Sequence, residues 1–320
     1  VMVGLSWMAQ WPFASWSGAI VSNWHAALAV GGVILLLAPR GWPARGIGLL
    51  LLLPMIVGVP SGIPTGTARF TLLDVGQGLA AVVETRHHTL VFDTGPRFSP
   101  RFDTGAAVVV PYLRQRGLRQ IDRLIISHGD TDHIGGAESV LAAMPVEKIT
   151  SSLPEKLMPH AVESCQRGQR WTWDGVEFAM LHPSEGFSPR RNNASCVLKI
   201  TTGKHALLLT GDIEKAAERH LLQAGSPDLR ADILVAPHHG SNTSSTMPFI
   251  RAVAPDYVLF PVGYRNRFSF PRDAVVQRYR EQGVSMLATA SAGAISFDLG
   301  QGQLRPGRFR QSARRYWHDR

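Results

Sequence analysis

The segment His128–His133, with the sequence HGDTDH, most restricts what this 320-residue chain can fold into. It places four side chains that can bind a metal within six residues, directly after an apolar stretch. Because alternate residues of an extended loop point the same way, we expect His128, Asp130 and Asp132 to converge on one ion while His133 turns to a second. The alternative is a polar turn that caps the following helix, with Asp132 as its N-cap.

Three further polar sites share this placement at the end of an apolar stretch. Asp93 follows TLVF, Asp212 follows LLLTG, and the pair His238 and His239 follows ILVAP. Loops at one end of a sheet are where a rigid scaffold presents functional groups. A bridging carboxylate and a distant histidine are what a two-metal site needs, so the pattern as a whole predicts a metal centre.

From residue 68 onward, short runs rich in β-branched residues alternate with amphipathic segments. The runs predict strands within 68–76, 79–95, 123–130, 195–202, 205–212, 231–240, 256–263 and 284–290. The predicted helices are 105–117, 135–144, 214–224 and 272–282. This order over about 230 residues indicates a layered α/β or α+β domain whose sheet is not purely parallel. Residues 150–192 show a less regular pattern.

The first 60 residues carry only two charges, Arg40 and Arg45. We interpret residues 1–64 as a membrane segment with two transmembrane helices, at about 20–38 and 46–63. Buried core helices and a signal peptide are the alternatives. The two arginines lie in the joining loop, so the positive-inside rule places that loop in the cytoplasm and everything after Pro60 outside it.

The net charge of +9 is concentrated at the ends of the chain, with +2 in residues 1–60 and +5 in residues 301–320. This distribution argues against a uniformly basic nucleic-acid binder. The last 20 residues predict a basic, flexible tail, which either binds DNA backbone or anionic lipid or is simply solvated. Two cysteines rule out a disulfide scaffold; Cys165 and Cys196 could pair in an oxidising compartment, although free core cysteines are the more frequent case.

Several motifs together resemble a known family. HGDTDHIGG is similar to the H-x-H-x-D-H motif of the metallo-β-lactamase fold, and FDTG, TGD and PHHG follow in that fold's order. The wider set LDVGQG, FDTG, SHGDTDHIGG, NNASCVL, LLTGD and HHGSNTSS resembles the C-terminal part of the ComEC family, the channel proteins of bacterial DNA uptake. The resemblance implies a metallo-β-lactamase αββα sandwich over residues 65–300, preceded by two transmembrane helices.

The same resemblance implies roles for individual residues. His128 matches the first metal ligand, Asp132 and His133 match the pair at the second ion, and Asp212 matches the bridging carboxylate. His238 matches the last histidine ligand.

Other positions are less sharply matched. His239 is adjacent to His238 and cannot be separated from it by sequence, and Asp93 matches an acidic residue that orients the cluster. Further candidates are Asn193, Asp74, which a turn role explains equally well, and Ser241.

Some positions depart from the family pattern. Asp130 stands where the broad fold has histidine, and Asn192 or Asn193 occupies the stretch of the usual third-motif histidine. Oxygen ligands in place of nitrogen shift metal preference from Zn²⁺ towards Mn²⁺ or Mg²⁺. Leu79 and Phe270 stand where the branch has an acidic residue and a histidine, and the loss of the histidine before Pro271 would remove a proton donor or a phosphate contact.

The function implied by the resemblance is hydrolysis of DNA phosphodiester bonds with two divalent ions, Mn²⁺ or Zn²⁺. Asp132 would orient the attacking hydroxide. The implied partners are single- or double-stranded DNA, the membrane, the rest of the uptake channel and other competence proteins. The expected location is the inner membrane, with the domain on the periplasmic side degrading the non-transported strand. A hydrolase of another ester or amide, and a catalytically weak domain that guides DNA, stay open as alternatives.

Overall fold

The computed structural model describes residues 7, 23–39, 41–42, 45–56, 62–184, 191–223 and 229–313. Its internal contacts divide the chain into two units, one of residues 1–62 with 111–119 and one of residues 63–110 with 120–320. Each unit is described by itself below.

The first unit contains two apolar helices, Asn23–Leu37 and Arg45–Ile56. They approach closely where Gly32 faces Gly48, because a Cβ at either glycine would lie 2.7 Å from the carbonyl oxygen of the other. Within the described residues, no helix has both the length and the apolar character needed to cross a bilayer. Residues 20–22 and 57–61 of the two expected spans, as well as Arg40, lie outside the described residues.

The second unit is built on β-sheet, and the strands are numbered here in chain order. They are β1 Ala68–Leu72, β2 Ala81–Glu84, β3 Thr89–Phe92, β4 Arg97–Ser99, β5 Phe102–Asp103, β6 Ile121–Ile126, β7 Val146–Ser151, β8 Val162–Ser164, β9 Arg170–Trp173, β10 Val176–His182, β11 Val197–Thr201, β12 Ala206–Leu209, β13 Ile233–Val235, β14 Tyr257–Phe260, β15 Ser285–Ala288, β16 Ile295–Leu299 and β17 Gly307–Arg308. Apart from the small hairpin β4–β5, they form two mixed sheets. The order is β17-β16-β1-β2-β3-β6-β7-β8 in the first sheet and β15-β14-β13-β12-β11-β10-β9 in the second.

Each sheet combines an antiparallel part with a parallel part. In the first, β3, β6, β7 and β8 run parallel, and in the second, β12 to β15 do. Parallel strands bring their carboxyl ends to the same edge of a sheet, which is where the polar residues of interest follow β3, β6, β12 and β13. The expectation that the sheet is not purely parallel is therefore confirmed.

Helices and short helical turns connect these strands. The helices are Val110–Gln115, Thr131–Ile134, Ala137–Ala143, Lys215–Gln223, Met247–Val253, Asp273–Glu281, Thr289–Ala292 and Phe309–Ser312, with a π-helical turn at Gly105–Val109 and 3₁₀ turns at Pro154–Leu157, Arg191–Ala194 and Pro237–Gly240.

The main core lies between the two sheets. Phe70 and Phe92 from the first sheet and Leu198 and Leu207 from the second belong to one cluster of fully buried side chains. A second cluster joins the other face of the second sheet to helices 215–223, 247–253 and 273–281. This is the layered α/β arrangement that the order of predicted elements indicates.

The structure differs from the sequence prediction in two regions. The irregular stretch 150–192 contains β8 and β9, whose partly exposed positions give little apolar periodicity, and β10, which is mostly buried. The tail expected to be flexible from residue 301 is ordered at β17, which pairs with β16, and at helix Phe309–Ser312. An ion pair of 2.7 Å between Arg310 and Asp74 adds a charged contact there; residues 314–320 lie outside the described residues.

Cys165 and Cys196 form a disulfide, so the more frequent case of free core cysteines does not apply here. Cys165 follows β8 of the first sheet and Cys196 precedes β11 of the second. Their Cα atoms lie 5.9 Å apart, inside the usual range for a bridge. Packing of the two sheets brings together two residues that the sequence separates by 31 positions.

Candidate metal centre

The candidate site lies at the carboxyl ends of strands from both sheets. Asp93 follows β3 and residues 127–133 follow β6 in the first sheet, whereas Asp212 follows β12 and His238 and His239 follow β13 in the second. A hydrogen bond of 2.8 Å from the Asp93 amide to the Ile125 carbonyl ties the first two loops together. Another of 3.2 Å from the His238 amide to the Gly211 carbonyl ties the last two.

Four side chains form a compact set that we call the inner group: Asp132, His133, His239 and Asp212 through its Oδ1 atom. One nitrogen or oxygen atom from each lies within 4.8 Å of the others. Asp212 Oδ1 is 3.1 Å from His133 Nε2 and 3.4 Å from His239 Nε2, and Asp132 Oδ2 is 3.3 Å from His239 Nε2. Two imidazole nitrogens and two carboxylate oxygens at these distances are a suitable donor set for a divalent transition metal.

The second oxygen of Asp212 faces a different set of side chains, which we call the outer group. Asp212 Oδ2 lies 3.9 Å from His128 Nε2 and 3.8 Å from His238 Nε2, while Asp130 Oδ2 lies 3.7 Å from His128 Nε2. One carboxylate thus faces both groups, as a shared ligand of two ions would.

A second layer of hydrogen bonds orients the inner histidines. Asp93 is fully buried, and its Oδ2 lies 2.7 Å from His133 Nδ1 and accepts a 2.7 Å bond from the Ser127 hydroxyl. His239 Nδ1 lies 2.9 Å from the Pro261 carbonyl. A ring nitrogen that donates to such an acceptor leaves the opposite nitrogen free to bind a cation, so both inner histidines present Nε2 to the centre.

His238 and His239 are neighbours in sequence but point to different groups. Both have left-handed backbone conformations, with φ of 48° and 54°, which are uncommon for residues other than glycine. Their ring centroids lie 6.3 Å apart at an interplanar angle of 65°. With this backbone conformation, the side chain of His239 lies in the inner group and the side chain of His238 lies in the outer group.

The carboxylates and imidazoles strongly shift one another's pKa values. Burial acts to raise the pKa of Asp212, but His133 and His239 outweigh it and hold that pKa well below its usual value. Burial likewise opposes the charged form of Asp132, yet His133 and His239 lower its pKa to about 2. For His239, burial acts to lower the pKa, whereas Asp212 and Asp132 raise it to about 9. The carboxylates are therefore ionised at neutral pH, whereas His239 and His133, whose pKa values the carboxylates raise, carry protons that a binding cation would displace.

Two buried atoms indicate that a metal fits these residues. Among the described residues, His128 Nε2 and Asp212 Oδ1 have no hydrogen-bond partner. An unsatisfied buried polar atom is costly, and a divalent cation in each group would satisfy the atom that lies there: His128 Nε2 in the outer group and Asp212 Oδ1 in the inner group. Each group offers two imidazole nitrogens and two carboxylates, a mixed donor set that fits a divalent metal such as Zn²⁺ or Mn²⁺.

The structure corrects one expectation about the HGDTDH segment. Asp132 lies in the inner group beside His133, as the family resemblance implies, and not with His128 and Asp130, as the alternation of side chains predicts. The reason is local: the backbone is extended at Asp130 and turns helical over Thr131–Ile134, so the alternation of side chains stops there. The alternative role of Asp132 as the cap of the following helix is also not observed, because the N-cap of helix Ala137–Ala143 is Gly136 and Asp132 lies inside the helical turn Thr131–Ile134.

Three further candidates lie in supporting positions instead of in either group. Asn193 Oδ1 accepts hydrogen bonds from the amides of Glu214 and Ala217, so this side chain caps helix 215–223. Asp74 accepts a bond from the Gly76 amide and pairs with Arg310, as its turn role predicts. Ser241 lies 3.1 Å from the Thr243 hydroxyl, which is itself 3.0 Å from His238 Nδ1.

Sequence reasoning missed several residues that orient the site. Ser127 binds both oxygens of Asp93, through its amide at 2.6 Å and its hydroxyl at 2.7 Å. Thr243 and Glu214 approach His238 Nδ1, and Asn192 Nδ2 lies 3.5 Å from His238 Nε2. The position of Ser127 directly before the first histidine is the one signal that could have indicated its role.

Comparison with known proteins agrees with the motifs. The model of the family described as "Metallo-beta-lactamase superfamily" matches residues 73–263. The chain is 40% identical over 283 residues to "Competence protein ComA" of Neisseria gonorrhoeae, which is 88% of this chain and 40% of that protein. It is 33% identical over 234 residues to "Recombination protein 2" of Haemophilus influenzae, which is 72% of this chain and 29% of that protein. It is 30% identical over 251 residues to "ComE operon protein 3" of Bacillus subtilis, which is 71% of this chain and 32% of that protein. The resemblance to the competence family is confirmed, and the chain spans less than half the length of these relatives.

Similar solved structures include the metallo-beta-lactamase fold protein YhfI from Bacillus subtilis, with a TM-score of 0.48 and 12% identity over 72% of this chain and 99% of that one. Another is Igni18, a metallo hydrolase from Ignicoccus hospitalis, with a TM-score of 0.48 and 18% identity over 72% of this chain and 98% of that one.

The family model covers the described loops that carry Asp93, the HGDTDH segment, Asp212 and the histidine pair. It includes the inner and outer groups and most strands of both sheets, whereas β1, β15, β16 and β17 lie outside it. The α/β fold expected from the motifs is confirmed, and the chain belongs to the metallo-beta-lactamase superfamily.

Proposed function

We propose that this chain is the metal-dependent nuclease part of a DNA-uptake channel and hydrolyses phosphodiester bonds of the non-transported strand outside the cytoplasm. The observation that carries the proposal is the position of Asp212 between two groups of ligand side chains. A centre of this kind suits phosphoester hydrolysis, since two cations can stabilise attacking and leaving oxygens together. The names of the relatives, which refer to competence and recombination, direct the choice of substrate to DNA.

The residues of the two groups would hold the cations. Asp132, His133, His239 and Asp212 form the inner binding set, and His128, Asp130, His238 and Asp212 form the outer one. When bound, divalent cations there would supply Lewis acidity and lower the pKa of a water molecule. Cations held by the two sets would place positive charge where a phosphate would otherwise meet the negative potential of three aspartates.

The chain's own residues have separable tasks in this proposal. Asp93 and the Pro261 carbonyl fix the rings of His133 and His239, so the centre does not reorganise during the reaction. The Asp132 side chain is 33% exposed and reaches the solvent face of the inner group, where it would accept a hydrogen bond from the attacking water and orient it. Asp130, at 57% exposure, lies where a substrate phosphate would approach the outer group.

The proposal also places the domain outside the cytoplasm, attached to the membrane by helices at about 20–38 and 46–63. Besides the arginines of the joining loop, the disulfide between Cys165 and Cys196 supports this location, because such bridges persist in oxidising compartments. Precipitating whole cells with trichloroacetic acid and then adding a polyethylene-glycol maleimide in denaturant without a reductant tests it, because acid traps the thiols and denaturation exposes them. An unshifted band on the gel is expected, and a band shifted by two maleimide groups would contradict export.

A cleavage assay with matched variants tests the nuclease activity. The full 320-residue chain is incubated with 5′-labelled 30-nucleotide single and double strands in a series of Mn²⁺, Zn²⁺ and Mg²⁺, and the products are separated on denaturing gels. We expect metal-dependent cleavage that Asp132→Ala reduces at least about a hundredfold, because it removes a ligand and an orienting group together. Asp298→Ala is the control, since Asp298 is a 72% exposed carboxylate on β16 whose surface ion pair contributes little.

The outcomes separate the alternatives. Cleavage that survives Asp132→Ala would overturn the assignment of the site. Intact DNA with every metal, together with hydrolysis of another ester or amide, would favour a hydrolase of different specificity. Intact DNA that the chain nevertheless binds would favour the DNA-guiding domain.

A further inference from the structure

Between β14 and helix Asp273–Glu281 lies a segment with an unusual composition, Tyr264–Arg272, with the sequence YRNRFSFPR. We call it the aromatic loop. It contains three aromatic residues and three arginines, and it has no acidic residue. The metal chemistry described above uses none of its side chains.

The aromatic loop exposes flat rings beside positive charges. Tyr264 is 70% exposed and Phe268 is 39% exposed. The guanidinium of Arg265 lies 5.1 Å from the Tyr264 ring centroid, and that of Arg267 lies 4.8 Å from the Phe268 centroid. In the part of the chain that the structure describes, neither arginine forms an ion pair, so their charges are available to an anion.

The rings of Phe268 and Phe270 form a continuous series of contacts between solvent and the outer group. Phe268 stacks on Phe270 with centroids 5.5 Å apart and an interplanar angle of 19°. Phe270 in turn meets His238 edge-on at 5.8 Å. A ligand stacked on Phe268 would therefore lie one ring away from a side chain of the outer group. Phe270, which stands where the family pattern has histidine, extends this series of rings.

Internal hydrogen bonds hold the aromatic loop in one conformation. Asn266 accepts a 2.9 Å bond from the Phe270 amide and donates bonds to the carbonyls of Phe270 and Gly263, at 2.7 and 3.2 Å. The Arg272 amide donates to the Gly240 carbonyl at 3.0 Å, next to the histidine pair. A surface ordered in advance loses less conformational entropy when it binds a ligand.

Exposed rings interleaved with arginines match one ligand chemistry closely. Single-stranded nucleic acid presents unpaired base faces that stack on aromatic rings and phosphates that pair with arginine, and such stacking tolerates any sequence. A duplex buries its base faces and could use only the charges. An apolar protein partner would leave the three guanidinium groups without counter-charges.

We propose that the aromatic loop is a base-stacking site that binds an unpaired stretch of the nucleic-acid strand next to the metal centre. The inference rests on the proposed nuclease function for the identity of the substrate and adds that the strand enters the centre unpaired. The loop also supplies positive charge beside the acidic cluster of Asp130, Asp132 and Asp212. Phosphates of the strand are thereby attracted to a region whose own charge would repel them.

Binding assays on the full chain test the base-stacking site. The probes are a fluorescein-labelled 12-nucleotide oligothymidylate, an abasic strand with the same number of phosphates, and a 12-base-pair duplex, with EDTA present to prevent cleavage. Fluorescence anisotropy is expected to give at least about tenfold tighter binding of oligothymidylate than of the abasic strand, because each stacked base contributes about 1–3 kcal/mol, that is about 5- to 150-fold.

Variants at Phe268 separate stacking from folding and from apolar contact. Phe268→Ala and Phe268→Leu should each weaken oligothymidylate binding about tenfold without changing abasic-strand binding, whereas Phe268→Tyr should keep the difference between the probes. Thermal unfolding by circular dichroism checks that all three variants fold.

Three results would overturn the inference. They are equal losses for both probes with Phe268→Ala, no loss for either probe, and tighter binding of the duplex than of oligothymidylate. Metal-dependent cleavage by the unaltered chain, measured separately, distinguishes the two proposals. Cleavage without base-dependent binding refutes the stacking site alone, and base-dependent binding without cleavage refutes the nuclease function alone.

Discussion

The inner and outer groups share Asp212 but differ in how firmly the protein holds them. In the inner group, Asp212 Oδ1 lies 3.1 and 3.4 Å from its histidine neighbours, whereas Oδ2 lies 3.9 and 3.8 Å from those of the outer group. In the inner group both histidines are buried and only Asp132, at 33% side-chain exposure, reaches solvent. In the outer group His128 is buried, whereas the side chains of His238 and Asp130 are 20% and 57% exposed. The inner group is therefore more compact and less exposed than the outer group.

Second-layer contacts explain this difference. A buried carboxylate and a backbone carbonyl fix the two inner histidines, from Asp93 and Pro261. His238 of the outer group relies on the Thr243 hydroxyl and on Glu214, 3.5 Å away. Ligands that are fixed before the metal arrives bind it more tightly, because less ordering is needed. We therefore expect the inner group to retain a metal ion and the outer group to exchange one.

The largest effect is expected from Asp212→Ala, which removes the one carboxylate common to both groups. Both ions should be lost after dialysis, and DNA cleavage should fall at least about a thousandfold, which corresponds to about 4 kcal/mol of activation free energy. Mass spectrometry of bound metals and the gel assay measure the two quantities. Retention of two metal equivalents per chain would refute the bridging role.

A comparison of His239→Ala with His238→Ala tests the ranking of the groups directly. Loss of His239 should weaken binding of the first metal equivalent at least about a hundredfold. Mutation of residues that only orient the ligands already lowers metal affinity about 10- to 100-fold, and a direct ligand contributes more. Loss of His238 should weaken only the second equivalent. Titration calorimetry with Mn²⁺ or Zn²⁺ resolves the two steps, and equal losses at the first step would show that the groups do not differ as the geometry suggests.

The smallest effect is expected from Asp93→Asn, which keeps the size of the side chain but removes its charge. His133 loses the anionic partner of Nδ1, so the affinity of the inner group should fall about 10- to 100-fold. Binding at the outer group should stay close to that of the unaltered chain. The same calorimetric titration measures both, and an unchanged first step would contradict the orienting role of Asp93.

Some features of the site could be predicted from sequence because they depend on local pattern. Asp or His directly after an apolar run can be assigned to the end of a strand from the sequence alone. The two sheets then bring Asp93, the HGDTDH segment, Asp212 and the histidine pair together. The assignment of Asp132 by simple alternation failed because a helix begins after Asp130. The role of Asn193 was also missed, since a helix cap and a metal ligand need the same kind of side chain.

The sequence by itself determined the layered α/β fold, the ends of the main strands and the residue types that gather at one edge of the sheets. These follow from periodicity and from the short range over which strands and turns are decided. Only the tertiary structure decided that His239 and not His238 joins the inner group, that Cys165 reaches Cys196, and that the aromatic loop lies against the outer group. Each of these depends on a left-handed backbone or on contacts between distant segments, which no local pattern records.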